Sequence, residues 1–172
     1  MRFLRAHATD LNIDPDRIGV WGSSAGGTLS SLLGLANPEA GFDHGQYIDQ
    51  SSAVQAVVDM FGPSDLTDFG DSDLFARFLL RICIGTSTAV RRSASPITYV
   101  APGAPPFLIL QGTDDESFRQ SQQFAQRLQS AAVPVTLVEV QGAGHSLSTP
   151  GERPSADELT ARVVDFFTAT LQ

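Results

Sequence analysis

The sequence predicts an α/β fold built on a parallel sheet of about four strands, with helices packed on both faces. Four short apolar runs have the length of strands, and helical patterns or long connections separate them. In addition, a glycine-rich turn joins the first of these runs directly to a helical pattern. The 172 residues suit a single domain covering 1–172, and the 42% of apolar residues are enough to form a core.

The first part of the chain predicts a helix, a strand and a second helix. A short amphipathic helical pattern covers residues 2–11 and ends at Asn12. An apolar strand over 18–21 then leads into the glycine-rich turn 22–27. From Thr28 onward, leucines recur at helical spacing. The predicted order in this part of the chain after residue 17 is therefore strand, tight glycine-rich turn, helix.

The middle of the chain predicts one buried strand and a long irregular segment. The strand covers residues 54–60 and ends in the breaker run 61–65. Residues 67–105 hold one apolar helical piece around 74–84, a Gly/Ser/Thr stretch and a Pro/Gly cluster. This segment is too long for a simple connection, so we interpret it as a lid-like insertion in the domain.

The last third of the chain predicts two more strands, each followed by a helix. The strands cover 107–110 and 135–140, and a helical pattern separates them. The final helix is predicted to open at Ser155, because Glu158 follows at the spacing of a capping box. All four predicted strands therefore fit a parallel sheet covered on both faces.

Charge and composition exclude several classes of partner. All 11 basic residues are arginines, and 19 acidic residues bring the formal net charge to −8. We therefore expect no nucleic-acid partner and no attachment to an anionic membrane. The sequence has neither an apolar stretch of membrane-spanning length nor a leader pattern, so a cytoplasmic location is expected. It also lacks a metal-ligand cluster and a cofactor fingerprint, so we expect no metal and no cofactor.

The pentapeptide 22–26, Gly-Ser-Ser-Ala-Gly, matches the pattern G-x-S-x-G. The match alone is weak, but here it lies between a predicted strand and a predicted helix. In that position a sharp turn lifts the central serine above the edge of the sheet, and small neighbours relieve crowding. Ser24 is therefore the candidate nucleophile; a turn that only packs closely or holds a phosphate is the structural alternative.

A serine hydroxyl needs a general base, and the sequence contains three histidines. His145 directly follows the fourth predicted strand in a glycine-rich loop, where an open parallel sheet presents its site residues. His7 lies on the first predicted helix, and His44 lies in a polar loop. We therefore select His145 as the base and assign His7 and His44 to the surface.

The base in turn needs a carboxylate that holds its tautomer. Asp115 lies just past the third predicted strand and precedes His145, in the chain order Ser, Asp, His. The neighbouring Asp114 is the main alternative, and Asp59 and Asp65 at the end of the second strand are weaker ones. The structural interpretation of each alternative is a carboxylate in a turn or a helix cap.

These segments together resemble the α/β-hydrolase esterases, in particular the group of feruloyl and acetyl-xylan esterases with their hormone-sensitive-lipase and prolyl-oligopeptidase relatives. The resemblance begins with Pro-Asp-Arg-Ile-Gly-Val-Trp-Gly-Ser-Ser-Ala-Gly-Gly at 15–27. Further similar segments follow in the same order as in that group and cover most of the chain: 57–66, 94–100, 105–109 and 142–145.

The resemblance implies a serine hydrolase that cleaves small-molecule carboxylic esters through an acyl-enzyme. Residue by residue, it implies Ser24 as nucleophile, Asp115 as orienting acid and His145 as general base and acid. It also implies that the backbone N–H of Ala25 is one oxyanion donor. A peptidase or a thioesterase of the same superfamily remains open, because these residues do not identify the leaving group.

The sequence departs from this family in two places. The family draws a second oxyanion donor from a His-Gly-Gly loop far upstream of the nucleophile, whereas 23 residues precede Ser24 and the pair His44-Gly45 follows it. We therefore expect the C-terminal part of an α/β-hydrolase fold, N-terminally truncated and without the first half of the sheet. Its strand 18–21 would then be an open edge, which predicts self-association there or, instead of an enzyme, a catalytically silent fragment. The segment after Asp115 is also shorter than is usual in the family.

Overall fold

The computed structural model describes residues 1–68, 81–147 and 150–172. In these residues four strands form one parallel sheet: β1 (Gly19–Ser23), β2 (Ala56–Met60), β3 (Phe107–Gly112) and β4 (Val135–Val140). The strands lie in the same order across the sheet as along the chain, and each neighbouring pair is parallel. The carboxyl ends of all four strands therefore meet at one edge, and the predicted fold class is confirmed.

The described residues include the helices α1 (Arg2–Ala6), α2 (Ala8–Leu11), α3 (Ala25–Leu35), α4 (Thr88–Ser93), α5 (Phe118–Ser130) and α6 (Ala156–Thr170), with 3₁₀ turns at Pro38–Ala40 and Pro96–Tyr99. Of these helices, α3, α5 and α6 pack against the strands of the sheet. The predicted capping box of the last helix is confirmed, since the Ser155 side chain accepts from the backbone N–H of Glu158 and the Glu158 carboxylate accepts from Ser155. This exchange satisfies backbone donors that the first turn of a helix otherwise leaves free.

The core lies on both faces of the sheet, because β2 and β3 are buried throughout most of their length. On one face, strand residues pack against α3 and α5 in a cluster of Leu35, Val57, Phe107, Ile109, Phe124 and Leu128. On the other face, they pack against α6 in a cluster of Val58, Leu108, Leu110, Val138, Leu159 and Val163. This double burial explains why these strands are continuous apolar runs rather than alternating patterns.

For two helices, the bounds in the structure differ from those predicted from the sequence. The single helix predicted over 2–11 is broken at His7, whose ring packs against Phe3 and Tyr47 while its backbone leaves helical geometry. The second helix begins at Ala25, before the predicted start at Thr28, because the glycines assigned to the turn lie inside α3. A Cβ on Gly27 would overlap the carboxylate of Asp59, so glycine serves close helix–strand packing here.

The segment 67–105, predicted as a lid-like insertion, is described only in part. Most of its predicted helical piece, 74–84, lies outside the described residues. Its last part packs on the fold through Ser95, whose hydroxyl accepts from the backbone of Leu66 and donates to that of Arg91. The apolar run around Cys83 suggests burial, but this expectation is wrong, because Cys83 is exposed and Ile82 is 65% exposed. An apolar run alone does not imply burial, since much of any protein surface is apolar.

Candidate active site

The turn between β1 and α3 holds Ser24 in an unusual backbone conformation, with φ 55° and ψ −123°. A non-glycine residue at positive φ is strained, and the surrounding structure must hold it there. Two hydrogen bonds do so: the Ser24 N–H donates to Met60 O at 2.8 Å, and Thr28 N–H donates to Ser24 O at 3.1 Å. The turn therefore presents the Ser24 side chain at the carboxyl edge of the sheet, as the sequence pattern predicts.

Ala25 is the first residue of α3, so its backbone N–H has no acceptor within the helix. The positive end of the helix dipole favours negative charge at this point. This N–H is therefore suited to an oxyanion that forms on a group bonded to Ser24.

His145 lies between Ser24 and Asp115 and contacts both. Its Nε2 is 2.8 Å from Ser24 Oγ, and its Nδ1 is 2.6 Å from Asp115 Oδ2. The three residues follow the ends of β1, β3 and β4, which are far apart in the chain. The structure thus brings together the serine, histidine and aspartate that the sequence singles out.

The Asp115 carboxylate is almost completely buried, with 4% of its side chain exposed, whereas half of the His145 side chain is exposed. Burial raises the pKa of Asp115, but hydrogen bonds from His145 and from the backbone and hydroxyl of Ser117 outweigh it and hold the pKa below its usual range. Asp115 is therefore ionised at neutral pH and accepts a hydrogen bond from the His145 Nδ1–H, which leaves Nε2 to accept a hydrogen bond from the serine hydroxyl.

The other histidines weighed from the sequence have different contacts. His7 Nε2 is 3.1 Å from the hydroxyl of Tyr47, and its Nδ1 faces Asp10. His44 is exposed, and its backbone carbonyl accepts a hydrogen bond from Arg2. The contact between His7 and Tyr47 and the hydrogen bond between Arg2 and His44 both join the N-terminal helices to the loop that follows α3.

The other candidate carboxylates also contact different groups. Asp114 is exposed and accepts from the hydroxyl of Thr113 at 3.3 Å. Asp65 accepts from both the backbone and the hydroxyl of Thr67, at 2.8 and 2.6 Å, as a turn carboxylate does. Of the four aspartates considered from the sequence, Asp115 is the one that hydrogen-bonds His145.

Asp59 is a buried structural link between β2 and α3. It is 1% exposed, and its two oxygens accept from the hydroxyl of Ser31 at 2.6 Å and from the backbone N–H of Gly62 at 2.9 Å. Burial raises the pKa of Asp59 to about 7, although both hydrogen bonds act to lower it. This carboxyl therefore joins the helix that carries Ser24 to the turn after β2.

The raised pKa of Asp59 has a consequence for stability. Because this pKa is higher in the folded protein than the ordinary value of 3.8, the folded state keeps a proton that the unfolded chain releases. The contribution of Asp59 to the free energy of unfolding is complete below about pH 4 and is lost as the pH rises through about 7. We expect Asp59→Asn to remove this pH-dependent loss of stability. The free energy of unfolding of the variant minus that of wild type should therefore rise by about 4 kcal/mol from pH 4 to pH 8.

Urea denaturation at a series of pH values measures this difference. The matched control is Asp114→Asn, which makes the same change at an exposed aspartate and should run parallel to wild type. If the free energies of unfolding of Asp59→Asn and wild type differ by the same amount at every pH in this range, the raised pKa of Asp59 is contradicted.

Three residues that sequence reasoning missed also border the site. Phe61 has φ 56°, is 1% exposed, and places its ring 5.9 Å from the imidazole of His145. Ser117 and Gln111 lie behind Asp115, and Ser117 donates to its carboxylate. A polar Gln111 at the end of an apolar strand is the signal that could have pointed to this side of the site.

Residues 1–68, 81–147 and 150–172 contain no group of three or more His, Cys, Asp or Glu placed to hold a metal ion. In the same part of the chain, no helix combines the length and the apolarity that crossing a bilayer requires.

A parallel α/β sheet that presents Ser, His and Asp in this geometry at its carboxyl edge is typical of α/β hydrolases. The BD-FAE family model matches residues 1–128, which is most of the chain. The chain therefore belongs to the BD-FAE family of α/β-hydrolase esterases, and the resemblance found in the sequence is confirmed.

Curated relatives include two proteins of Mycobacterium tuberculosis. The chain is 30% identical to the probable carboxylic ester hydrolase LipM over 98% of its own length and 41% of that protein. It is 33% identical to the esterase LipC over 82% of its own length and 37% of that protein. The chain thus spans about two fifths of the length of these relatives.

Solved structures of esterases have the same fold. A truncated form of a carbohydrate esterase from gut microbiota superimposes with a TM-score of 0.81 and 26% identity, over 98% of this chain and 65% of that chain. The native Est2 esterase of the Planctomycetes species Thermogutta terrifontis superimposes with a TM-score of 0.76 and 26% identity, over 98% and 60% of the two chains.

Proposed function

We propose that this chain is a serine hydrolase that cleaves carboxylic esters through an acyl-enzyme. The observation that carries the proposal is the continuous hydrogen-bonded series from Asp115 through His145 to Ser24. An ionised, buried carboxylate holds one imidazole nitrogen, and the other imidazole nitrogen contacts a hydroxyl on a strained turn. This arrangement serves nucleophilic catalysis, because a serine needs a base to attack at neutral pH.

The reaction follows from these contacts. His145 Nε2 takes the proton of Ser24 Oγ as the oxygen attacks the ester carbonyl, and Asp115 stabilises the imidazolium. The carbonyl oxygen becomes an oxyanion that accepts from the N–H of Ala25. Collapse of this intermediate breaks the bond to the alkoxy oxygen, which leaves as the alcohol after taking the proton from His145. Water activated by His145 then attacks the acyl-enzyme, releases the acid and restores Ser24.

The substrate class we propose is a small-molecule ester of a short carboxylic acid. Est2 of Thermogutta terrifontis has been solved with propionate and with butyrate bound, at TM-scores of 0.74 and 0.75 to this chain. Another structure of that esterase is phosphoramylated by tabun, so organophosphorus reagents react with a protein of this fold. Both findings belong to the relative, and they guide the choice of reagents for this chain.

A fluorophosphonate probe tests the proposal directly. We expect one probe to bind per wild-type chain, mass spectrometry to place it on Ser24, and Ser24→Ala to remain unlabelled. The matched control is Ser23→Ala, which changes the neighbouring exposed hydroxyl and should label like wild type. Labelling that persists in Ser24→Ala would refute the assignment of the nucleophile.

The alternative to an enzyme is a catalytically silent fragment, and the feature that supports it is the open edge of the sheet at β1. Among the described residues, β1 pairs on one side with β2, and Trp21 on β1 is 51% exposed. An unpaired strand edge with exposed apolar groups is a surface on which a second copy of the chain can pair. We infer that self-association occurs there, so the probe experiment is run separately on the monomer and on larger species from size exclusion. A folded chain that stays unlabelled in every fraction would favour the silent fragment.

A further inference from the structure

Gln111 is a completely buried amide at the end of the apolar strand β3. Burying an amide is costly unless its donors and acceptors are hydrogen-bonded. In this protein both ends are used: Gln111 Nε2 donates to Ser117 Oγ at 3.3 Å, and Gln111 Oε1 accepts from Ser121 Oγ at 2.8 Å. Ser117 and Ser121 are themselves buried. A polar network of three side chains therefore lies behind Asp115.

The charge of Asp115 sets the direction of every hydrogen bond in this network. An ionised carboxylate only accepts, so the Ser117 hydroxyl must donate to Asp115 Oδ1, at 2.8 Å. The Ser117 oxygen is then free to accept from the Gln111 amide N–H, and the Gln111 carbonyl accepts from Ser121. All three donors thus point towards the carboxylate, an order in which hydrogen bonds strengthen one another.

The network also fixes the rotation of the carboxylate. Oδ1 accepts twice from Ser117, from its backbone N–H at 2.8 Å and from its hydroxyl at 2.8 Å. Oδ2 remains for His145 Nδ1, at 2.6 Å. Ser117 is itself held at the N-terminal end of α5, and Ser121 lies one turn further along that helix. The short segment after Asp115 is thereby tied both to α5 and to β3.

We propose that Ser117, supported by Gln111 and Ser121, is a positioning residue that aims the Asp115 carboxylate at the imidazole of His145. The proposal deepens the proposed function and rests on it for its kinetic consequence, but the orientation of the carboxylate is a property of the protein at rest. Ser117 contacts Asp115 and not the reacting atoms, so its effect is exerted through Asp115.

Ser117→Ala tests the proposal. We expect kcat for a nitrophenyl ester to fall about tenfold, since a hydrogen bond to a charged group is lost, while KM stays unchanged. We also expect the far-downfield proton NMR resonance of the His145 Nδ1–H, which reports the short bond to Asp115, to shift upfield or broaden. Ser117→Thr keeps the hydroxyl and should restore both properties.

Ser95→Ala is the matched control, because it removes a buried serine hydroxyl with two backbone partners away from His145. It should leave kcat and the resonance unchanged. If Ser117→Ala does not fold, Ser121→Ala decides the question, since loss of the outer hydroxyl should change the same resonance in the same direction by a smaller amount. A wild-type resonance in Ser117→Ala, or an equal loss in Ser95→Ala, would overturn the proposal.

The NMR resonance and kcat together distinguish a failure of the positioning role of Ser117 from a failure of the proposed hydrolase function. The resonance is measured without substrate, so its change in Ser117→Ala supports the positioning role even if the wild-type chain hydrolyses no ester. If the chain is active and Ser117→Ala leaves both kcat and the resonance intact, the positioning role fails and the proposed function stands.

Discussion

Ser24→Ala and His145→Ala should each lower kcat for nitrophenyl acetate at least about 10⁴-fold, and the two variants should keep the same low residual kcat. In the proposed mechanism Ser24 supplies the nucleophile and His145, whose Nε2 is 2.8 Å from Ser24 Oγ, takes its proton, so either loss removes the same step. We therefore expect the double variant to be no slower than either single variant, because residues that act as one unit are not additive.

Steady-state kinetics of the four proteins measure this effect, with folding checked by circular dichroism. His44→Ala is the matched control for the histidine: His44 is exposed, hydrogen-bonds Arg2 through its backbone, and should give wild-type kcat. If the effects of Ser24→Ala and His145→Ala multiply in the double variant, the two residues act independently, which the proposed mechanism does not allow.

Gly22→Ala should destabilise the protein by about 3 kcal/mol. A Cβ at this position would overlap the backbone carbonyl of Gly26 and approach the hydroxyl of Ser30. The first of these groups cannot move away, because it belongs to the backbone of the helix that holds Ser24. A loss of this size is a large part of the 5–15 kcal/mol that stabilises a typical domain.

The matched control lies in the same motif. A Cβ on Gly26 would meet nothing within 4 Å, and Gly26 lies in α3. Gly26→Ala should therefore keep or slightly raise the free energy of unfolding, since alanine favours a helix over glycine by up to about 1 kcal/mol. Thermal and urea denaturation compare the two variants. Equal stabilities would show that the close approach at Gly22 is not what requires glycine there.

Most of the fold could be predicted from the sequence. The strand over 135–140 and the capping box of Ser155 with Glu158 lie where local pattern places them. The predicted bounds near His7 and Ala25 are wrong, because tertiary packing decides them: an aromatic contact lies where the first helix is interrupted, and Gly27 of α3 admits the carboxyl of Asp59.

The meeting point of Ser24, Asp115 and His145 could also be predicted, because strand ends of a parallel sheet converge. The choice between Asp114 and Asp115 had a weaker basis, since both follow the same strand and differ by one residue. Their environments differ clearly in the structure: Asp115 is buried behind His145, whereas Asp114 is exposed.

The sequence by itself determined the α/β class, the strands, the turn that carries Ser24 and the edge at which the candidate residues lie. These features follow from the period of apolar residues and from the residues that turns require, and both are local properties. Only the tertiary structure decided the aim of the Asp115 carboxylate, the network of Gln111, Ser117 and Ser121 behind it, and the link formed by Asp59. These features depend on side chains from distant segments meeting within hydrogen-bonding distance, and local sequence pattern does not encode such distances.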